Sequence, residues 1–417
     1  MENSITPLIT NDAVVFGLLM ASLAFVFYTS SLKNSFWSKF YKIFPALLMC
    51  YLIPSILSTL NIISPSHSNL YTMAKNYLLP ASLVLMTISV DLKGIINLGS
   101  KSIIMFLSGT VGIIIGGPLA ILIVSYFSPE TFNGAGFQEV WRGLATLAGS
   151  WIGGGANQAA MLEIYKYDQS LYSGIVAVDI IVANIWMAIL LLGIGKTDKI
   201  DKWLKADVTA IEDLKAKVAA YQNSITKNPS LTDLMIVLGV AFGIVGLSHF
   251  LADNLSSYIT SVVADPSTSV LSSRFFWLVL LATTIGVILS FTKARKLEGY
   301  GASKFGSVCI YILVATIGMK MDVTKTLENP GLLAVGGVWM LIHVIIMVIT
   351  AKIIKAPFFF LAVGSKANVG GAASAPVIAS AFHPSLAPVG VLLAVLGYAL
   401  GTYGAMFCAY LMQIVSQ

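Results

Sequence analysis

Residues 144–165 read LATLAGSWIGGGANQAAMLEIY, and residues 357–382 read PFFFLAVGSKANVGGAASAPVIASAF. Both are apolar and long enough to enter a bilayer, yet neither is written as a regular helix. The first holds Gly149, Ser150, Gly153, Gly154, Gly155, Asn157 and Gln158; the second holds Gly364, Ser365, Lys366, Asn368, Gly370, Gly371, Ser374 and Pro376. Glycine in a helix interior costs about 1 kcal/mol relative to alanine, and proline about 3 kcal/mol. Both segments are therefore expected to unwind within the membrane, where free backbone is tolerated only beside a cavity or inside protein. An opened segment offers carbonyls at one broken end, suited to a cation, and amides at the other, suited to an anionic group. The plainer alternative is that the glycines serve close helix packing. Two segments at matching places, each with Asn and Ser among the glycines, favour a binding site.

The rest of the chain sets the class. Of its 417 residues, 57% are apolar and only 11% are charged, against about 25% charged in soluble domains. A water-soluble fold is excluded, and the unbroken apolar runs are helical rather than alternating. Twelve runs approach the length of a crossing: 13–32, 43–63, 77–90, 103–127, 144–165, 171–194, 231–251, 275–291, 305–319, 332–353, 357–382 and 386–413. The expectation is an all-α polytopic membrane protein with 11–13 spans. The first run lacks the basic flank of a cleavable signal peptide and is expected to stay. The net charge of +6 comes from basic residues in short loops, which is how positive-inside topology is written, so nucleic acid is not an expected partner. Cys50, Cys309 and Cys408 lie in apolar runs, away from metal or redox spacing.

A polar stretch, 195–230, separates a first half (1–194, core about 101–194) from a second (231–417, core about 331–417). Within it Val208, Ile211, Leu214, Val218 and Tyr221 fall at helical spacing, with Asp213 facing Lys217, which reads as an interfacial amphipathic helix or as a solvated linker. The halves look related. Gly149-Ser150, Gly154-Gly155-Ala156 and Ser170-Leu171 are matched in order by Gly364-Ser365, Gly370-Gly371-Ala372 and Ser385-Leu386. Lysines after the first and third runs place those loops inside and the N-terminus outside. Lys293, Arg295, Lys296, Lys304, Lys352 and Lys355 place the loops after Phe291 and Ile353 inside, and hence the C-terminus inside. Those orientations make the repeats antiparallel and demand an odd number of crossings, against twelve runs; the region from Leu231 to Ser273 is the first suspect for a miscounted element, and the alternative is that the weaker first-half charge bias misleads and the repeats are parallel.

Ionisable residues within spans are expensive and mark function. Asp179 lies in the span after the first glycine-rich segment and is the leading candidate for a coupling site, with a purely structural carboxylate as the alternative. Asn184, five residues on, faces elsewhere. His343 lies before the second segment, where it pairs with Asp179 or acts as a packing histidine. Lys366 is placed to meet an anionic substrate or a carboxylate, or to snorkel. Thr402 and Tyr403 could add hydroxyls near the crossing.

The pattern GS-x-x-GGGAN before a span bearing Asp, with ANVGGAASAP followed by PVGVLLAVLGYALGTYG, resembles an uncharacterised bacterial integral-membrane family of YjcL-like proteins. That family is grouped with the cation:proton antiporter and anion transporter superfamily. The resemblance implies two inverted five-helix repeats, two broken helices crossing at mid-membrane, a separate panel or dimerisation region, and hence a homodimer in the bacterial cytoplasmic membrane. It places Asp179 where sodium:proton antiporters keep their ion-binding carboxylate and His343 on the helix where some carry a lysine. A single Asp, where antiporters often show pairs, leaves room for sodium-coupled uptake as in bile-acid-type symporters.

The expectation is a secondary active transporter for a small organic solute, with sodium or a proton as coupling ion and no cofactor. Asp179, Asn157, Asn368 and His343 would hold the ion; Ser150, Gly154, Gly155, Gln158, Ser365, Lys366, Gly370, Gly371, Ser374, Thr402 and Tyr403 would meet the solute. The alternative is a sodium:proton antiporter with no organic substrate. An intramembrane enzyme lacks its signatures, since the chain has no HExxH helix, nucleophile elbow or Walker loop. A channel or a sensor stands further back.

Overall fold

A computed structural model describes residues 7–32, 35–207, 211, 228–262, 270–322, 329–383 and 386–416. Most of the 195–230 stretch, including Val208, Asp213, Leu214, Lys217, Val218 and Tyr221, lies outside the described residues, as does Ser385. Its beginning forms the helix Thr197–Leu204.

The described chain is helical and without strands. In order, the helices used below are α1 (Asp12–Ser31), α2 (Ser35–Ile43), α3 (Ala46–Thr59), α4 (Leu79–Ile88), α5 (Ser100–Phe127), α6 (Val140–Tyr165), α7 (Tyr172–Ile194), α8 (Thr197–Leu204) and α9 (Leu231–Val262). They continue with α10 (Arg274–Ser290), α11 (Ala302–Gly318), α12 (Gly331–Ile353), α13 (Phe358–Asn368), α14 (Gly371–Phe382) and α15 (Ala387–Val415). Among the described residues six, α1, α5, α7, α9, α12 and α15, are long and apolar enough to cross a membrane on length and composition alone. A seventh arises if α10 and the following Lys293–Tyr300, bent by 98°, count as one span. The apolar helices α3 and α11 are shorter, and α4 is extended backwards by a helical turn and a π-helical turn over Leu70–Leu78.

The two glycine-rich segments do not cross. Arg142 Nη1 donates to the Tyr165 carbonyl at 3.0 Å, and the rings of Trp141 and Tyr165 lie 5.5 Å apart. In a straight helix those 23 positions would span about 35 Å. The chain instead reverses at Gly154, whose φ of 73° and ψ of −171° break α6 into two arms that fold back on each other. The second segment does the same. Phe358 and Phe382, at its two ends, have ring centroids 5.8 Å apart, and the reversal falls at Gly370 and Gly371, with φ of 112° and 54°. The expected broken crossing helices are therefore corrected to re-entrant hairpins, hairpin one being α6 and hairpin two α13 with α14. Glycines with positive φ let the backbone turn back rather than continue, a conformation that side chains with a Cβ resist.

This correction resolves the parity conflict. Contacts between α5 and α12 run in opposite senses: Trp339 Nε1 bonds the Ile113 carbonyl at 2.8 Å, and His343 Nδ1 meets the Gly109 carbonyl at 3.0 Å. Beyond their ends, Asn329 Nδ2 donates to Thr131 O at 2.8 Å, and Lys101 Nζ to Lys355 O at 3.3 Å. The helices that precede the two hairpins are thus antiparallel, and the hairpins enter from opposite ends of the bundle. The Leu231–Ser273 region was not the miscounted element, because α9 is one helix of 32 residues. The placement of the two chain ends on opposite faces is also corrected. With hairpin two turning back, α15 starts beside Phe382 and runs parallel to α5, placing Cys408 near Ile113 and ending at the face where α1 begins. That face carries Asp12, Asn69, Thr131 and Asn329. The opposite face carries Lys101, Asp207, Lys355, and Arg295 in an ion pair with Asp91.

Packing groups the helices into two bundles. The first comprises α5, hairpin one, α7, α12, hairpin two and α15; the second comprises α1, α3, α4, α9, α10 and α11. A continuous apolar core joins them, and polar contacts cross the seam within it. Thr283 meets Thr402 at 3.2 Å, Ser173 Oγ donates to Asp322 O at 2.8 Å, and Lys75 pairs with the buried Glu163 at 2.5 Å. At the opposite end, Asp201 of α8 accepts the Phe358 amide at 2.7 Å and so caps the first arm of hairpin two. Burial pushes the Asp201 carboxyl above its ordinary range, opposed by that amide.

Candidate functional site

Asp179 is only 7% exposed, and it holds hairpin one rather than open space. Ser150 Oγ donates to its Oδ2 at 2.6 Å and Trp151 Nε1 to its Oδ1 at 2.8 Å, both from the first arm. Gln158 Nε2 donates to Oδ2 at 3.2 Å from the second arm. These partners supply N–H and O–H groups, the complement of an ionised carboxylate, which only accepts. Asp179 is thus a clamp across both arms. Among the described residues no group of three or more His, Cys, Asp or Glu is placed to hold a metal ion.

The two asparagines of the glycine-rich motifs occupy matching niches and do not reach Asp179. Asn157 Nδ2 donates to Gly153 O at 3.0 Å and Tyr398 O at 3.3 Å, while Oδ1 accepts from Thr402 at 2.5 Å. Asn368 Nδ2 donates to Gly364 O at 3.0 Å and Phe106 O at 2.9 Å, while Oδ1 accepts from Thr110 at 2.8 Å. Each side chain bonds the carbonyl four residues back, a carbonyl of a neighbouring helix, and a threonine. Both arms beside the tips are fastened in this way, to α15 and α5 respectively. Thr402→Val removes the hydroxyl at nearly constant volume and strands Asn157 Oδ1. A loss of about 1–2 kcal/mol is expected, read as a lower midpoint in thermal unfolding; an unchanged midpoint would remove this bond from the account.

His343 does not pair with Asp179, contrary to one of the two expectations for it. Its Nδ1 faces a carbonyl, Gly109 O, so that nitrogen carries the proton and Nε2 accepts from Ser365 Oγ at 2.8 Å. Ser365 in turn accepts Trp186 Nε1–H at 2.7 Å. Both residues are fully buried, and the histidine packs α12 against hairpin two. Asn184 is exposed and bonds Ile180 O. Tyr403, 39% exposed, meets Thr284 at 2.8 Å and stands apart from the tips.

Lys366 is the unusual group. It ends the first arm of hairpin two, is 2% exposed, and bonds Ala183 O at 3.4 Å. It neither snorkels nor forms an ion pair within bonding distance among the described residues. Two atoms near the turns, Gln158 Oε1 and Ser374 Oγ, are buried without a hydrogen-bond partner. Gly154, Gly155 and Ser374 are half-buried and Gly370 is exposed, so the tips are less enclosed than the arms behind them.

Residues 17–415, which contain every group above, match the model of a family described as "Protein of unknown function (DUF819)". The chain belongs to the DUF819 family. It is also similar to the "Uncharacterized membrane protein YjcL" of Bacillus subtilis (strain 168), 24% identical over 354 residues, which cover 82% of this chain and 84% of the relative. A membrane protein is what the helical architecture of this DUF819 chain independently requires. Several residues of its site were not singled out from sequence: Trp151, Trp186 and Thr110 supply bonds to Asp179, Ser365 and Asn368. The available signal was a tryptophan beside each polar element of a span, since a buried indole N–H needs an acceptor.

Proposed function

We propose that this DUF819 protein is a secondary active transporter, moving a small solute across the bacterial cytoplasmic membrane by alternating access. The observation that carries the proposal is the pair of re-entrant hairpins, entering from opposite ends, whose glycine turns lie beside a buried Asp179 and a buried Lys366. Backbone that reverses inside the hydrophobic layer is tolerated beside a cavity or within protein, and opposed half-depth elements give a site two routes of access. The antiparallel sense of α5 and α12 supports inverted repeats of the kind transporters use.

Positive charge orients the reading. Followed along the helix order, Lys39, Lys101, Lys196, Lys199, Lys202, Lys205, Lys293, Arg295, Lys296, Lys304, Lys352 and Lys355 fall at helix ends on one face, and Lys75, Arg142, Lys166, Arg274 and Lys320 at ends on the other. The richer face is the cytoplasmic one, so hairpin two enters from the cytoplasm and hairpin one from outside. Asp179 is the coupling group. Neutralising it by a proton, or screening it by sodium, weakens charge-assisted bonds to neutral ones and loosens the clamp on hairpin one.

Cysteine accessibility tests this reading. The native Cys50, Cys309 and Cys408 are buried and give little background. A single cysteine at Ala372, exposed beside the hairpin-two turn, is expected to react with a membrane-impermeant maleimide from either face, with the preferred face changing as sodium or pH is varied. Labelling from one face under every condition would replace the transporter by a one-sided receptor or a structural protein.

A further inference from the structure

Three polar groups around the hairpin turns lack a settled partner, and together they describe a ligand. The Lys366 ammonium has three donors, yet its hydrogen bond to Ala183 O is long, at 3.4 Å. Ser374 Oγ has no partner. The two flank Gly370: a Cβ built on that glycine would come within 3.2 Å of Lys366 Nζ and closer still to Ser374 Oγ. The glycine is required by its φ of 112°, and its bare backbone leaves the ammonium and the hydroxyl facing a common space. The third group is Gln158 Oε1. Because Gln158 Nε2 is held by Asp179, the amide cannot turn over, and its oxygen stays an unpaired buried acceptor. Ala183, the Lys366 contact, lies four residues beyond Asp179, the Gln158 contact, on α7, so the groups that hold the cation and the acceptor stand one helical turn apart, about 6 Å along the axis.

Building on the transport reading of this same site, we propose that the hairpin tips bind a small carboxylate with a hydrogen-bond donor on the adjacent carbon, an α-amino or α-hydroxy acid. Its carboxylate meets Lys366 and the Ser374 hydroxyl, and its N–H or O–H meets Gln158 Oε1. A simple amine is repelled by Lys366, and a neutral sugar leaves that charge uncompensated. A plain carboxylate leaves the Gln158 oxygen unpaired. Asp179 already accepts three bonds and contributes through Gln158, as a positioning residue.

Thermal unfolding of the purified full chain, with L-alanine, L-serine, L-glutamate, L-lactate and glycolate set against acetate, propionate, ethylamine and glucose, tests the assignment. At least one acid of the first group is expected to raise the midpoint where the comparison solutes do not. Lys366→Met should weaken that binding on the order of tenfold to a hundredfold, the worth of a charge-assisted bond. The same change should leave the ligand-free midpoint unchanged or higher, because a poorly paired buried charge is removed while the aliphatic stem is kept. Ser374→Ala, which breaks no internal bond, should weaken binding several-fold without altering the ligand-free protein. Equal stabilisation by acetate or propionate, preference for ethylamine or glucose, no response to any acid, or undiminished binding in Lys366→Met would each overturn the assignment. None of these outcomes touches the two-sided labelling at Ala372, so failure of the ligand class and failure of the transport reading remain separable.

Discussion

Asp179→Ala is expected to lower the stability of the protein by about 4 kcal/mol, because three donors lose their common acceptor and each buried unpaired donor costs about 1–3 kcal/mol. Ser150, Trp151 and Gln158 are those donors, and they belong to both arms of hairpin one. Asp179→Asn should behave quite differently. The amide oxygen can keep the Trp151 bond, the Ser150 hydroxyl can rotate to accept, and Gln158 can turn its oxygen toward the new N–H. The asparagine variant therefore folds with a loss of about 1 kcal/mol, corresponding to charge-assisted bonds becoming neutral ones. What it cannot do is change its charge. Any stabilisation by sodium, and any dependence of solute uptake on pH or sodium, should disappear in Asp179→Asn while the protein remains folded. Ion dependence persisting unchanged in the folded asparagine variant would move the coupling site elsewhere and leave Asp179 a structural clamp.

The contrast between those two substitutions depends on a geometry that the sequence only half disclosed. Composition and apolar run length are properties of the chain alone, so the helical membrane class and the positions of the runs were legible, and each run is found as helix. The unwinding at 153–155 and 368–371 was legible as well, because glycine clusters carry a backbone penalty whatever surrounds them. The direction of the chain after the break was not. A kinked crossing helix and a hairpin have the same composition and the same broken turn; they differ in whether Arg142 finds Tyr165 and whether Phe358 finds Phe382, contacts between residues more than twenty positions apart. The charge pattern did hold the missing information, in a conflict between twelve crossings and basic loops that must share one face, but it located no particular element. Two non-crossing segments leave ten crossings, bring the basic loops to one face, and move the end of α15 to the face from which α1 begins.

Side-chain partners were legible in proportion to their local character. Asp179 and Lys366 stand out in any apolar run because charge there is expensive. The partners of Asn157 and Asn368 were not legible, since an amide can equally serve an ion or the backbone, and Thr402 and Thr110 arrive from helices remote in sequence. His343 was open between titration and packing. The carbonyl of Gly109, close because that position has no side chain, decides for packing: a Cβ there would lie 3.2 Å from the imidazole.

The turn of hairpin one offers a second large and specific effect, in which neighbouring glycines are expected to respond in opposite ways. Gly154 has φ 73° and ψ −171°, a region populated essentially by glycine alone. A Cβ there meets no serious obstruction, its nearest atom being Tyr398 Cε1 at 3.6 Å, so the penalty for Gly154→Ala is backbone strain of about 1–3 kcal/mol. Gly155 has no positive φ and nothing within 4 Å of a Cβ, so Gly155→Ala should be tolerated or stabilising through the unfolded chain. Behind the turn, Gly149 is more sensitive than either. A Cβ on it would lie 2.6 Å from the Asn157 carbonyl oxygen of the returning arm, a backbone atom that cannot swing aside, so Gly149→Ala must separate the arms and pull Ser150 and Gln158 from Asp179. The expected order of thermal midpoints is Gly155→Ala at or above the parent, Gly154→Ala below it, and Gly149→Ala lowest. A continuous crossing helix would give another order, because in a straight helix every one of these alanines improves propensity. Equal stabilisation by all three would therefore restore the crossing helix and remove the hairpin on which the site is built.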